Sequence, residues 1–155
     1  MNIAELLSAD RVQCESPAGS KKRALDALSE KLAEAFPNLT QREVFDSLIG
    51  RERLGSTGLG HGIAIPHGRL AGIDQAAGAF MTLADGIDYD APDRQPVDVL
   101  FALVVPEVCT DQHLQILATL AQMFADPTTV QQLRQCDSPE RLLALFNEWQ
   151  VSDAA

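Results

Sequence analysis

V-D-V-L-F-A-L-V-V, residues 97–105, is the stretch that decides the fold. Eight of its nine residues are apolar, and most are β-branched or aromatic. It is far short of the ~20 residues a membrane-spanning helix needs. It is also too continuously apolar for a strand with one wet face, so it reads as a strand buried on both sides. Such a strand needs a cover on each face, and helices must supply it. Working outward, A-F-M-T-L at 79–83 is a second strand candidate and I-D-Y at 87–89 a short edge strand. I-A-I at 63–65 is a further strand, ended by Pro66. The hairpin-like spacing after Leu83 points to a mixed sheet.

Helical patterns lie on both sides of this strand group. Ser20 precedes Leu25, Leu28, Leu32 and Phe36 at helical spacing, and Pro37-Asn38 stops the run. Thr40 and Glu43 form a T-x-x-E capping box ahead of Val44, Phe45, Leu48 and Ile49. Gly50 is the expected C-terminal cap. After Pro106, Thr110 is placed to cap a helix carrying Leu114, Leu117, Leu120 and Phe124. Asp126-Pro127 and Ser138-Pro139 each give an N-cap followed by proline at the first helical position. The expectation is one α/β domain over residues 1–155, a three-layer α/β/α sandwich with a mixed central sheet, frayed over its last few residues, 151–155.

The chain has 155 residues, 46% of them hydrophobic and 22% charged, which excludes a disordered or collagen-like class. With 22 acidic and 12 basic residues its net charge is −10. That balance argues against nucleic acid or an anionic membrane as partner and favours a partner with a basic face. Met1-Asn2-Ile3-Ala4-Glu5 has no basic segment ahead of an apolar one, so neither a secretory signal nor membrane insertion is expected. Cys14, Cys109 and Cys136 are odd in number and form no C-x-x-C pair, which fits reduced thiols in the cytoplasm.

The dense chemical signal is R-E-R-L-G-S-T-G-L-G-H-G-I-A-I-P-H-G-R, residues 51–69. It holds two of the three histidines and three arginines. It matches neither GxxxxGK[ST] nor a strand–GxGxxG–helix arrangement, which excludes a P-loop and a dinucleotide fingerprint. What remains is His67, displayed between Pro66 and Gly68. A neutral imidazole nitrogen is a nucleophile that forms covalent intermediates. A transferring phosphoryl group needs cations and N–H donors about its oxygens. Arg51, Arg53 and Arg69 are close in sequence, and His113 falls in the first turn of the helix that starts near Thr110, where an anion is favoured.

The segment 55–68, G-S-T-G-L-G-H-G-I-A-I-P-H-G, resembles the phosphorylation-site segment of the fructose/mannitol-type IIA proteins of the bacterial phosphoenolpyruvate-dependent phosphotransferase system, and most of all their nitrogen-regulatory branch (IIA-Ntr). R-E-R-x-G-S-T-G, Q-P-V-D-V-L-F-A-L-V-V-P and H-L-Q-I-L follow in family order, so the resemblance spans essentially the whole chain. The resemblance implies that His67 accepts the phosphoryl group through Nε2. It implies that His113 is the second histidine contacting that group, and that Arg51 supports the site. Ser56, Thr57 and Gly68 match residues near it. It implies a mixed sheet flanked by helices, no cofactor and no bound metal. The implied donor is an HPr-like phosphocarrier, NPr in the nitrogen branch, and the regulated partners include potassium transport and sensor-kinase systems. His61 departs from the family, where relatives often carry asparagine.

Two other readings stand beside this one. A binding module of the same fold would regulate partners without phosphorylation. A metal enzyme would use His61, His67 and His113 as ligands, but the chain lacks HExxH and the His61/His67 spacing is not the helical i, i+4 pair. Oligomeric state is not legible in the sequence.

Overall fold

A computed structural model describes residues 3–108 and 110–154, with side chains at all of these except Thr110, Gln112, His113 and residues 150–154. Among the described residues six strands form one mixed sheet: β1 (Val12–Ser16), β2 (Gly58–Gly60), β3 (Ile63–Ala64), β4 (His67–Leu70), β5 (Ala77–Ile87) and β6 (Val97–Pro106). Five helices flank it: α1 (Lys21–Ala33), α2 (Gln41–Glu52), α3 (Thr110–Phe124), α4 (Pro127–Gln135) and α5 (Pro139–Ala154). Two 3-10 turns, Ile3–Leu6 and Ala9–Arg11, precede β1.

The apolar stretch that begins at Val97 is the centre of the sheet. β5 runs antiparallel along one edge of β6, with Phe80 opposite Phe101. The other edge is shared by two short strands in line, both parallel to β6: Ile63 pairs with Val99, and His67 with Leu103. Pro66 sits between them, its carbonyl accepting from the Leu103 N–H at 2.9 Å. β1 lies outside β5, parallel to it, and β2 lies outside β3, antiparallel.

Alternation along β6 builds two cores, because successive side chains of a strand point to opposite faces. Val99, Phe101, Leu103 and Val105 pack with Phe80, Leu120, Phe124, Leu133 and Phe146 from the α3–α5 side. The Phe80 and Phe146 rings meet edge-on at 5.0 Å. Leu100, Ala102 and Val104 pack with Leu28, Leu32, Val44 and Leu48 under α1 and α2. The three-layer expectation therefore holds, and so does the mixed sheet.

The expected helix starts at Ser20, Thr40, Asp126 and Ser138 are found. Ser20 accepts from the Arg23 N–H, and Thr40 and Glu43 close both halves of the capping box. Asp126 accepts from the Thr128 N–H with proline in the first turn, and Ser138 accepts from the Arg141 N–H. α3 begins at Thr110 itself, so Thr110 is its first residue rather than its cap, and position 109 lies outside the described residues.

Two expectations need correction. Gly50 does not end α2; the helix continues to Glu52 and Arg53 is its C-cap. An interior glycine costs about 1 kcal/mol relative to alanine, and the buried contacts of Glu52 described below offset it. Residues 79–83 and 87–89 are not two strands. One strand, β5, extends to Ile87 with a register irregularity between Thr82 and Ile87. Gly86 lets it pass close to Pro96, since a Cβ there would lie 2.8 Å from the Pro96 Cβ. β1, β2 and β4 carry no strand signal of their own in the sequence. They are short, poor in β-branched residues, and form through pairing with β5, β3 and β6. α5 is helical to Ala154 over the stretch where fraying was expected; its side chains from residue 150 onward, and residue 155, lie outside the described set.

Candidate functional site

His67 is the first residue of β4, and the sheet fixes its backbone against Leu103. The strand can lie this close to α2 because residue 68 has no side chain. A Cβ on Gly68 would collide with Ser47 Oγ and lie 3.0 Å from the Ser47 carbonyl atoms. Ser47 Oγ–H in turn donates to the Arg69 carbonyl at 2.8 Å, tying the helix to the strand. This close contact sets His67 beside the last turn of α2. An open hollow of about 520 Å³ results, lined by Asp46, Ser47, Gly50, Arg51, Leu54, His67, Gly68 and Arg69.

The His67 ring is half-buried, and its Nδ1 lies 2.8 Å from the Ile65 carbonyl oxygen. A carbonyl only accepts, so Nδ1 carries the hydrogen and the lone pair of the neutral ring resides on Nε2. Burial and, to a lesser degree, the charge of Arg51 push the His67 pKa below its ordinary 6.5; the Ile65 carbonyl and Glu52 oppose this. The ring is thus neutral at pH 7, with Nε2 as its nucleophilic nitrogen.

Arg51 stands in the last turn of α2, where a cation complements the negative end of the helix. One guanidinium N–H donates to the Gly55 carbonyl at 2.8 Å. The planar fork presents five donors in all, a geometry suited to phosphate oxygens. Arg69 is an exposed second cation on the same hollow. Arg53 is exposed but does not line it. Leu54, 84% exposed, forms an apolar lip.

Ser56 and Thr57 are engaged by their surroundings and do not line the hollow. Ser56 Oγ accepts from the Gly58 N–H at 3.1 Å. The Thr57 hydroxyl is buried and donates to Glu52. His113 lies in the first turn of α3, but its side chain is outside the described residues.

His61 sits elsewhere. Its backbone is in the left-handed region, φ 57°, which asparagine and histidine enter more readily than most side chains. Its N–H donates to Asp93 Oδ2 at 3.0 Å and its carbonyl accepts from Arg134 at 2.6 Å. It borders a different cavity, with Ile63, Phe124, Val130 and Arg134. Thus His61 and His67 open onto separate hollows. Among the described residues no group of three His, Cys, Asp or Glu side chains is placed to hold a metal ion.

Ser47 and Glu52 were missed by sequence reasoning. Glu52 adjoins Arg51 in the R-E-R-x-G-S-T-G run, and that adjacency was the available signal.

Residues 5–149 match the family model described as "Phosphoenolpyruvate-dependent sugar phosphotransferase system, EIIA 2". The chain belongs to this family. It is 39% identical over 142 residues to a nitrogen regulatory protein of Pseudomonas aeruginosa, covering 92% of each chain. It is 44% identical over 139 residues to the nitrogen regulatory protein of Escherichia coli K12, covering 89% of this chain and 82% of that one. The crystal structure of nitrogen regulatory protein IIA-Ntr from Neisseria meningitidis superposes with a TM-score of 0.88 at 41% identity, over 93% of this chain and 98% of that one. EIIA proteins are phosphotransfer components of the system, and this chain carries the EIIA domain across most of its length. Among the described residues no helix is long and apolar enough to cross a membrane.

Proposed function

We propose that this EIIA protein is the phosphoryl-accepting regulatory component of a nitrogen phosphotransferase system, and that Nε2 of His67 is the acceptor. The observation that carries the reading is the Nδ1–H···O=C bond to Ile65, which puts the lone pair of a neutral ring on Nε2. The donor is a small HPr-like carrier, NPr in this branch. Its phosphohistidine approaches the hollow across the exposed lip formed by Leu54, with Arg51 and Arg69 beside it.

The transfer is an in-line displacement. The Nε2 lone pair forms the new N–P bond while the pair of the old N–P bond returns to the donor ring. His67 keeps its hydrogen on Nδ1, so no proton has to move on this side. Arg51 stabilises charge on the equatorial oxygens, and His113 is the second histidine in contact with the group. Gly68 acts by allowing the strand–helix approach. Ser56 and Thr57 act indirectly, by holding the loop. The phosphorylated site gains about −1.5 to −2 charges, enough to release or recruit a partner by electrostatics. Potassium transport and sensor-kinase systems are partners of this kind, and the protein works in the cytoplasm.

Intact-mass spectrometry after incubation with phosphoenolpyruvate, enzyme I and the carrier tests the reading. One acid-labile phosphoryl adduct is expected on the wild type and none on His67→Gln. His113→Ala should still be labelled, but slowly. A charged carrier that leaves the wild type unlabelled would sink the proposal and favour a binding module of the same fold.

A further inference from the structure

Glu52 is a carboxylate 2% exposed, one residue from Arg51, and the transfer step makes no use of it. It is surrounded by donors. The Thr57 N–H reaches both of its oxygens at 3.3 Å, and the Thr57 hydroxyl donates to one of them. The Tyr89 hydroxyl donates at 2.9 Å, and Lys21 Nζ lies 2.8 Å from Oε2. Lys21 also donates to the Tyr89 carbonyl at 3.1 Å and covers the Tyr89 ring at 4.4 Å. Four donor groups thus fill the roughly four lone-pair sites of an ionised carboxylate.

What this cluster holds is the Gly-rich loop, and through it the acceptor. The Thr57 carbonyl accepts from the Ile65 N–H at 3.1 Å. The Ile65 carbonyl accepts from Nδ1 of His67 at 2.8 Å. An unbroken series of hydrogen bonds therefore joins Glu52 to Thr57, Thr57 to Ile65, and Ile65 to the imidazole. Ile65 falls in the gap between β3 and β4: β6 pairs with Ala64 before it and His67 after it, and the Ile65 N–H itself bonds to the Thr57 carbonyl.

We propose that Glu52 is a positioning residue. Acting through Thr57 and Ile65, it holds His67 in the single tautomer that places the lone pair on Nε2. The proposal rests on His67 as phosphoryl acceptor, but the tautomer can be read without any transfer. In Glu52→Gln an amide NH2 replaces one acceptor: in the place of Oε2 it faces Lys21 and the Thr57 N–H, and in the place of Oε1 it faces the Thr57 N–H and the Thr57 and Tyr89 hydroxyls that had donated there. The loop must shift, and misplacement of about 1 Å at a reacting group costs on the order of 100-fold in rate.

The test is the long-range 1H–15N spectrum of histidine in the full-length protein, paired with the rate of phosphoryl acceptance from the carrier. Wild type should show one neutral tautomer at His67, protonated on Nδ1. Glu52→Gln should show a mixture and accept phosphoryl roughly 10- to 100-fold more slowly. Thr57→Val, which keeps the Glu52 charge and removes only the hydroxyl, should move both readouts the same way by less. Thr57→Ser should restore them. A folded Glu52→Gln protein with an unchanged His67 tautomer would overturn the proposal, whether or not its rate falls. If Glu52→Gln does not fold, an unchanged tautomer in Thr57→Val overturns it. If the wild type accepts no phosphoryl group, the functional reading fails while the tautomer comparison still decides the role of Glu52.

Discussion

At the scale of single residues, the protonation of His67 controls its chemistry. Its pKa is lowered, chiefly by burial and then by Arg51. Phosphoryl acceptance should therefore be independent of pH above 6.5 and persist somewhat below it, falling only as pH drops through the lowered value. A rate profile with its midpoint above 6.5 would contradict this. The same sign applies to folding: the unfolded ring binds a proton more readily, so stability from the neutral ring is complete above 6.5 and lost as pH falls. Gly68 makes a second prediction. Gly68→Ala drives a Cβ into Ser47, an overpacking that costs about 1–3 kcal/mol. Chemical denaturation should show that loss, with phosphoryl acceptance slowed because β4 moves off α2. The prominence of His67 was legible in the sequence, since proline and glycine flank it. The reason for Gly68 was not, because its neighbour Ser47 is brought there by tertiary packing, twenty-one residues earlier in the chain.

At the scale of elements, α2 is held at its two ends by different means. Its start is local: the Thr40–Glu43 box closes within four residues and was readable directly. Its end is tertiary: Glu52 enters a buried cluster built from α1, the Gly-rich loop and Tyr89. Local rules place a stop at Gly50, and they fail there because the buried cluster outweighs one glycine. Lys21→Met tests this. It leaves the Glu52 carboxylate without its cation, and breaking a buried pair costs about 3 kcal/mol or more. Denaturant melts should show that loss; a change within about 0.5 kcal/mol, the range of an ordinary surface substitution, would contradict it. Thr40→Ala, at the local end, should cost only about 1 kcal/mol.

At the scale of the whole molecule, one strand organises both cores. β6 carries Phe101 toward α3–α5 and Leu100 and Ala102 toward α1 and α2. Its continuous apolar run made the layered class legible before any other element was placed. The strand order was not legible. Four of the described strands have five residues or fewer, and three of these, β1, β2 and β4, have little intrinsic preference, so only pairing with β5, β3 and β6 reveals them. Phe101→Ala should cost about 3–5 kcal/mol, because its ring packs against Phe80, Phe124 and Phe146 at once. The same strand sets the site: by pairing with β3 and β4 in line it delivers Ile65 and His67 to one edge, with their hydrogen bond formed. The acceptor atom is therefore read by phosphorylating 15N-histidine-labelled protein with the carrier and following the ring nitrogens by NMR. Phosphorus coupling is expected at Nε2 of His67, with Nδ1 still protonated. Phosphorylation at Nδ1, or at another histidine, would contradict this.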